Sequence, residues 1–314
     1  MAKTAIKVSV IGAGFVGSTV AYTLVTKGVA SEIVLVDVNP DRAEGEAMDI
    51  SHGAPFAKSS IIRAGGYEDT KGSDVVIITA GTNQKPGETR IDLIARNTAI
   101  MRDVASKVGE QSPNAVILVI SNPVDVMTYV AREVTGFPKN RVIGSGTVLD
   151  SSRFRYLLAN RFDIDPRNVH GYIMGEHGDS EFPAWSLVNI AGMNIDEASD
   201  LFKKEINDEV RQSIADSTRN AAYEIINRKG ATYYGIAMSA TRIVEAIVRD
   251  ERSIMTVSSL LHGEYGIDDL YLSVPAILGE HGVEKILTPR LSDLELVNLH
   301  RSADALREAR SQIQ

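Results

Sequence analysis

Apolar positions along the chain follow two alternating rhythms. Residues 6–11 and 33–36 are short β-branched runs, and residues 74–81 and 115–123 are continuous apolar runs, the pattern of strands covered on both faces. Residues 18–25, 91–109 and 124–135 read as helices between them. This alternation predicts a doubly wound parallel sheet with right-handed crossovers. Ligands in such a sheet sit beyond the carboxyl ends of the strands, where Gly12, Gly81 and Asn122 fall. A further strand over 141–143 runs into Gly144-Ser145-Gly146, which lacks a third glycine and a downstream acid and reads as a turn.

Beyond Gly146 the rhythm loosens. Residues 148–158 read as a helix, and residues 205–227 as a longer one whose Ile206, Val210, Ile214, Ala221 and Ile225 form a stripe read as core packing. Another helix runs to about Val248, and antiparallel strands follow around 253–261 and 270–278. The last helix opens on Ser292-Asp293-Leu294-Glu295, the pattern of a capping box. The fold class is α/β: a parallel-sheet, dinucleotide-binding domain over 1–146 and an α+β substrate domain over 147–314.

The first strand runs straight into Gly12-Ala13-Gly14-Phe15-Val16-Gly17, a helix follows, and the second strand ends on Asp37, twenty residues beyond Gly17. That is the dinucleotide fingerprint in its structural context. Gly12 makes the turn, Gly14 lets the backbone approach a pyrophosphate, and Gly17 lets helix pack on strand. The helix N-terminus faces the phosphate charge. Asp37 would accept hydrogen bonds from a ribose diol and repel a 2′-phosphate, so the expected cofactor is NAD.

The chain is centred on Gly175-Glu176-His177-Gly178-Asp179-Ser180, where the flanks read as strand entering and leaving a tight turn. Two glycines bracket one imidazole, which titrates near neutral pH. His177 is one of six histidines, and alone it would count for little. Asp150 and Arg153 lie three apart on one helix face. They are either a surface ion pair or a divided pair, with Asp150 orienting an imidazole and Arg153 gripping a carboxylate. The stretch from Thr82 to Arg90, with Pro86-Gly87 inside it, is either a solvated surface loop or a lid that carries Arg90 over a ligand.

Composition narrows the classes. A net charge of −8 argues against a nucleic-acid partner. The chain has no cysteine, which excludes disulfides and thiolate sites, and no H-E-x-x-H or Cys/His cluster, so no metal is expected. No apolar run approaches the length of a membrane span, and the first apolar run, broken by Lys7 and then Gly12, is no signal-peptide core, so a soluble, cytoplasmic protein without a membrane partner is expected.

With these residues assembled, the chain resembles the L-lactate dehydrogenases within the lactate/malate dehydrogenase family, over essentially its whole length. The resemblance is carried by Gly12–Gly17 with Asp37, Gly81 to Arg90, Ser121-Asn122-Pro123, Leu149-Asp150 with Arg153, Gly175 to Asp179, and Ala231-Thr232-Tyr233-Tyr234. It implies a Rossmann domain that binds NAD through Gly12, Gly14, Phe15, Val16, Gly17, Asp37, Gly81 and Asn122. It implies His177 as proton donor and acceptor, Asp150 as its orienting partner, Arg153 as carboxylate anchor and Arg90 as the lid arginine that polarises the carbonyl. Asn122 and Thr232 would complete the substrate pocket. In malate-type relatives the position of Gln84 is usually arginine, which pairs with a second carboxylate; a neutral glutamine favours pyruvate/L-lactate. Arg155 and His170 match positions that bind fructose 1,6-bisphosphate in many bacterial members, across an interface of a homotetramer. The alternatives are a malate dehydrogenase and an NAD-binding sensor without turnover.

Overall fold

The computed structural model describes residues 5–82 and 90–312, apart from the side chains of Arg90 and Ile91. Gln84 therefore lies outside the described residues, as does the side chain of Arg90.

The first half alternates as the apolar runs require. Strand β1 (Lys7–Ile11) leads to helix α1 (Phe15–Lys27), and β2 (Glu32–Val36) leads to α2 (Pro40–Gly53) and β3 (Ile61–Ala64). Then come β4 (Val75–Ile78), α3 (Arg90–Gln111), β5 (Val116–Val119), α4 (Val124–Thr135) and β6 (Val142–Gly144). The apolar runs overshoot the paired strands by several residues, because Thr79–Gly81 and Ser121–Pro123 leave the sheet to form loops at its carboxyl edge.

β1 to β6 are parallel and form most of an eight-stranded sheet in the order β13-β12-β6-β5-β4-β1-β2-β3. The chain steps outward from β1 on one side and from β4 on the other, so the order reverses between those two strands. A crevice opens at the carboxyl end of such a reversal. The two added strands, β12 (Ser258–His262) and β13 (Asp268–Ser273), come from the second half: β12 runs antiparallel to β6, and β13 antiparallel to β12.

Alternate residues of each strand bury on opposite faces, which is why the runs read as continuously apolar. Val76 and Ile78 of β4 join one core with Met101 and Val104 of α3, Met127 and Val130 of α4, and Leu299 and Leu306 of α9 (Asp293–Ser311). Val75 and Ile77 join the other with Leu24 of α1, Ala47 of α2, and Ile243 and Val244 of α8 (Tyr234–Val248). Helices from both halves of the chain thus cover the one sheet.

Helix α5 (Val148–Phe162) leaves β6 and packs on a separate core with α6 (Ile195–Phe202) and α7 (Asp208–Lys229), through Phe154, Leu158, Ala198 and Ile214. Two short ladders lie between α5 and α6, joining β7 (Val169–His170) to β10 (Asn189–Ile190) and β8 (Ile173–Met174) to β9 (Phe182–Pro183). Near the end, β11 (Ser253–Met255), β14 (Ala276–Gly279) and β15 (Gly282–Ile286) make a third small sheet. The predicted strands at 253–261 and 270–278 are therefore each split and shared between two sheets.

The α7 stripe is also only half right. Ile206 and Ile214 are buried, whereas Ile225 and Ile226 are exposed, along with Tyr223. The C-terminal half of α7 leaves the core and presents apolar side chains outward. The last helix begins as predicted: Ser292 accepts from the Glu295 backbone while the Glu295 side chain accepts from the Ser292 backbone. Among the described residues no helix is long and apolar enough to cross a membrane.

Candidate active site

The cofactor loop can be judged from the space around its glycines. Gly12 has φ +105°, and a Cβ there would lie 2.8 Å from Thr79 Oγ1, so β1 and β4 approach too closely for a side chain. A Cβ on Gly17 would lie 1.8 Å from the Gly12 carbonyl oxygen, which seats α1 directly on the loop. A Cβ on Gly14, by contrast, would meet nothing within 4 Å. The three glycines thus divide as the fingerprint requires: a turn, an open approach and a close packing contact. Gly14 also caps α1 without a side-chain hydrogen bond, which leaves the first N–H groups of the helix free for an anion.

Asp37 sits at the end of β2, where its carboxylate accepts from the Ala13 N–H at 2.6 Å and the Asn39 N–H at 2.9 Å. It is thereby held beside the glycine loop, where a ribose would lie. Phe15 is exposed and stacks on Tyr233 at 5.5 Å between ring centroids. That contact brings the Thr232 loop, which joins α7 to α8, against the start of α1; Thr232 itself is half-buried. Val16 is partly buried behind it. At the ends of β4 and β5, Asn97 of α3 accepts from the Thr82 N–H at 2.9 Å and donates to the Asn122 carbonyl at 2.9 Å. Asn97 ties the Gly81 and Asn122 segments together. No motif pointed to it, because it lies within an ordinary helix.

The turn that carries His177 is the connection of a hairpin. Ile173 pairs with Pro183 and Met174 with Phe182, and residues 175–181 loop between them. Four elements hold this loop. Gly175 exchanges both backbone hydrogen bonds with Ser273 of β13, and the Glu176 N–H donates to Ser302 Oγ of α9 at 2.9 Å. The His177 N–H donates to Asp125 Oδ2 of α4 at 2.9 Å, and the ring meets α5. Gly175 has φ +100°, and a Cβ there would lie 2.4 Å from Ser302 Oγ, so no other residue fits this corner.

Asp150 of α5 lies at the centre of the side-chain chemistry. One carboxylate oxygen is 2.7 Å from His177 Nδ1, and the other accepts from Arg153 Nη1 at 2.7 Å. The side chain of Asp150 is 2% exposed, against 16% for Arg153 and 27% for His177. The surface ion-pair reading of Asp150 and Arg153 is therefore displaced: the carboxylate is buried and shared by two cations. Since Asp150 takes Nδ1, the imidazole keeps Nε2 for another partner. Arg153 makes its hydrogen bond through Nη1, which leaves the rest of the guanidinium for a ligand.

The electrostatics follow from burial and pairing. Burial pulls the His177 ring toward the neutral form, but the charge and hydrogen bond of Asp150, helped by Glu181 and Asp125, hold its pKa up at about 9. Burial would raise Asp150, yet His177 and Arg153 together hold it below the usual carboxylate range. Asp125, pushed up to about 6 by burial, is checked by hydrogen bonds from Ser258 Oγ at 2.5 Å and from the His177 backbone. At neutral pH the cluster carries a proton on the imidazole, and beside it a guanidinium edge that no other described residue engages. An arrangement of this kind has the chemistry to hold an anion and give it a proton.

Arg155 lies on α5 and His170 in β7. The Arg155 guanidinium donates to the carbonyl of Gly171, which follows the exposed His170, at 3.0 Å. Burial holds Arg155 below the usual arginine range. The two residues are neighbours, apart from the Asp150 cluster.

Comparison with known proteins agrees over the whole chain. Residues 6–144 match the NAD binding domain of lactate/malate dehydrogenase, and residues 147–314 match the alpha/beta C-terminal domain of the same family. The chain is 57% identical to L-lactate dehydrogenase 1 of Clostridium acetobutylicum, covering 96% of this chain and 97% of that one. It is 54% identical to an L-lactate dehydrogenase of Acetivibrio thermocellus, covering 96% and 95%. Its structure superposes on the ligand-bound crystal structure of a minor L-lactate dehydrogenase from Enterococcus mundtii with a TM-score of 0.96, at 43% identity and 99% of both chains. With both of its domain models matched end to end, the chain belongs to the lactate/malate dehydrogenase family.

Proposed function

We propose that the chain interconverts pyruvate and L-lactate with NAD as cofactor. The observation that carries this reading is the single buried carboxylate of Asp150, which orients both the imidazole of His177 and the guanidinium of Arg153 at 2.7 Å. One keto acid can then be held by its carboxylate and protonated on its carbonyl at the same place.

In this reading Gly12, Gly14 and Gly17 cradle the cofactor pyrophosphate, and Asp37 accepts from the adenosine ribose. When bound, the nicotinamide supplies or accepts the hydride at the substrate's second carbon. Arg153 receives the pyruvate carboxylate through two parallel hydrogen bonds. His177 gives its proton to the carbonyl oxygen, and takes it back in lactate oxidation. Arg90 polarises the carbonyl, and the fit of the methyl group falls to Gln84, whose neutral amide does not pair with a second carboxylate. Asn122 and Thr232 line the remaining walls. The division at 146/147 separates cofactor work from substrate work.

Regulation and assembly belong to the same proposal. Arg155 and His170 form a basic pair that would take one phosphate of fructose 1,6-bisphosphate, with a second copy supplying the rest, in a cytoplasmic homotetramer. Adding the bisphosphate lowers the apparent KM for pyruvate, and Arg155→Gln abolishes that response; an unresponsive wild type refutes the regulatory part. For the reaction itself, NADH consumption is followed with pyruvate and with oxaloacetate. Pyruvate is consumed far faster, and Gln84→Arg reverses the order; a wild type that prefers oxaloacetate is a malate dehydrogenase.

A further inference from the structure

One buried acid beside His177 has no task in the reaction above. Glu181 ends the catalytic turn and is 4% exposed. A carboxylate oxygen of Glu181, one of Asp150 and a ring nitrogen of His177 all lie within 4.8 Å of one another. Asp150 accepts hydrogen bonds on both oxygens, whereas among the described residues Glu181 acts on the cluster by charge alone. Arg219 of α7 donates to the backbone carbonyl of Glu181 at 3.3 Å and to Asp216 at 3.1 Å, so it braces the segment without neutralising the side chain by a hydrogen bond. A buried acid with a purely structural role is normally hydrogen-bonded. This one faces an imidazole instead.

We propose that Glu181 is a second acidic positioning residue for His177, whose carboxylate keeps the proton on the imidazole and so sets the alkaline limit of keto-acid reduction. This rests on the reading of His177 as proton donor. The charged groups that act on the ring are Asp150 from α5, Asp125 from α4 and Glu181 from the turn; Arg153 acts on Asp150 and Glu181, Glu176 on Asp125, and Arg219 of α7 on Glu181. Burial, added to by the charge of Asp150, pushes Glu181 up to about 8, while His177 is held up at about 9. As pH rises, Glu181 gives up its proton first. Its new negative charge then opposes loss of the proton from the ring. The two sites titrate as a pair, and the imidazolium outlasts the range in which a lone histidine would be neutral.

The test is a titration of the histidine ring signals by NMR on ring-labelled protein, with His177 assigned as the signal missing from His177→Gln. In wild type the His177 signal moves in two steps, the first reporting ionisation of Glu181. In Glu181→Gln the first step vanishes and the ring midpoint falls by roughly one pH unit or more, as expected for removal of a charge within about 4–6 Å. Glu181→Asp, which keeps the charge, restores most of the difference. A single-step wild-type curve, or a Glu181→Gln midpoint equal to that of wild type, overturns the proposal. The first of these outcomes needs no folded variant. Pyruvate reduction measured across pH adds a second readout. The alkaline limb of kcat/KM moves down with the ring midpoint in Glu181→Gln, while the acid-side kcat stays within about twofold of wild type. Wild type that titrates in two steps but reduces no keto acid sinks the proposed reaction and leaves the coupling intact. Wild type that reduces pyruvate with an alkaline limb unmoved by Glu181→Gln sinks the coupling alone.

Discussion

Replacing Asp150 by asparagine removes one charge and almost no volume, and the structure predicts a large effect. Its carboxylate accepts from His177 and Arg153 at 2.7 Å each, from a side chain that is 2% exposed. An amide keeps one acceptor oxygen and turns its NH2 toward the other donor, so one charge-assisted hydrogen bond is lost. Such bonds contribute about 1.5–3 kcal/mol. The imidazolium also loses its main opposite charge, and breaking a buried pair in this way costs about 3–5 kcal/mol. At 1.36 kcal/mol per tenfold, kcat/KM for pyruvate falls roughly 10²- to 10³-fold or more. The pH profile moves as well. Reduction needs the protonated ring, so activity in wild type is present below the folded pKa of about 9 and lost as pH rises through it. Without Asp150 that loss comes nearer the ordinary histidine value of about 6.5. The assay is steady-state NADH oxidation from acid to alkaline pH, with NADH affinity measured separately by fluorescence. The affinity stays within about twofold, because the glycine loop lies on α1 rather than α5. A kcat/KM within threefold of wild type, or an alkaline limb that does not move, refutes the reasoning.

Three further outcomes follow from the geometry. Gly17→Ala forces a methyl to within 1.8 Å of the Gly12 carbonyl and should lower thermal stability and abolish NADH binding, whereas Gly14→Val, with no atom within 4 Å, should melt like wild type and bind NADH at least tenfold more weakly. Asp125 is raised from 3.8 to about 6 in the folded chain, so its contribution to stability is full below about pH 4 and is lost as pH rises toward 6. Urea unfolding of Asp125→Asn should therefore improve relative to wild type by about 2–3 kcal/mol between those pH values, and a constant difference would contradict it. Glu295, 5% exposed, accepts from the Ser292 backbone and from both N–H and Oγ of Ser186, so Glu295→Ala should cost about 2–3 kcal/mol in urea unfolding, more than the roughly 1 kcal/mol of Ser292→Ala.

The parts legible from sequence are those whose physics is local. Gly12, Gly14, Gly17 and Asp37 could be read because strand, loop, helix and acid fall within one stretch, and the capping box at Ser292 because it spans a single turn. The pair Asp150 and Arg153 was visible as one helix face, but its burial was not. Nothing in the spacing brings His177 to Asp150, 27 residues away, or to Asp125, 52 residues away. Those contacts depend on how α4 and α5 pack against a hairpin; the helix face offered Asp150 as a partner for some imidazole, and the family resemblance named His177. Ser302 and Ser273, which pin the turn from α9 and β13, carried no signal, since a buried serine looks like any other. Glu181 escaped for the same reason: an acid beside Phe182-Pro183 reads as surface until the fold buries it. The outward half of α7 was misread because an apolar stripe at helical spacing does not say whether a core or solvent lies opposite. β12 and β13 were read as strands of the second half alone, because antiparallel addition to the edge of a parallel sheet leaves no mark in the strand sequence.

The most direct measurement is a crystal structure of the protein with NADH and an unreactive pyruvate analogue. The account predicts the analogue's carboxylate on the guanidinium of Arg153 and its carbonyl oxygen within about 3 Å of His177 Nε2, with Nδ1 still on Asp150. An analogue bound with neither group within reach of those two side chains would contradict it.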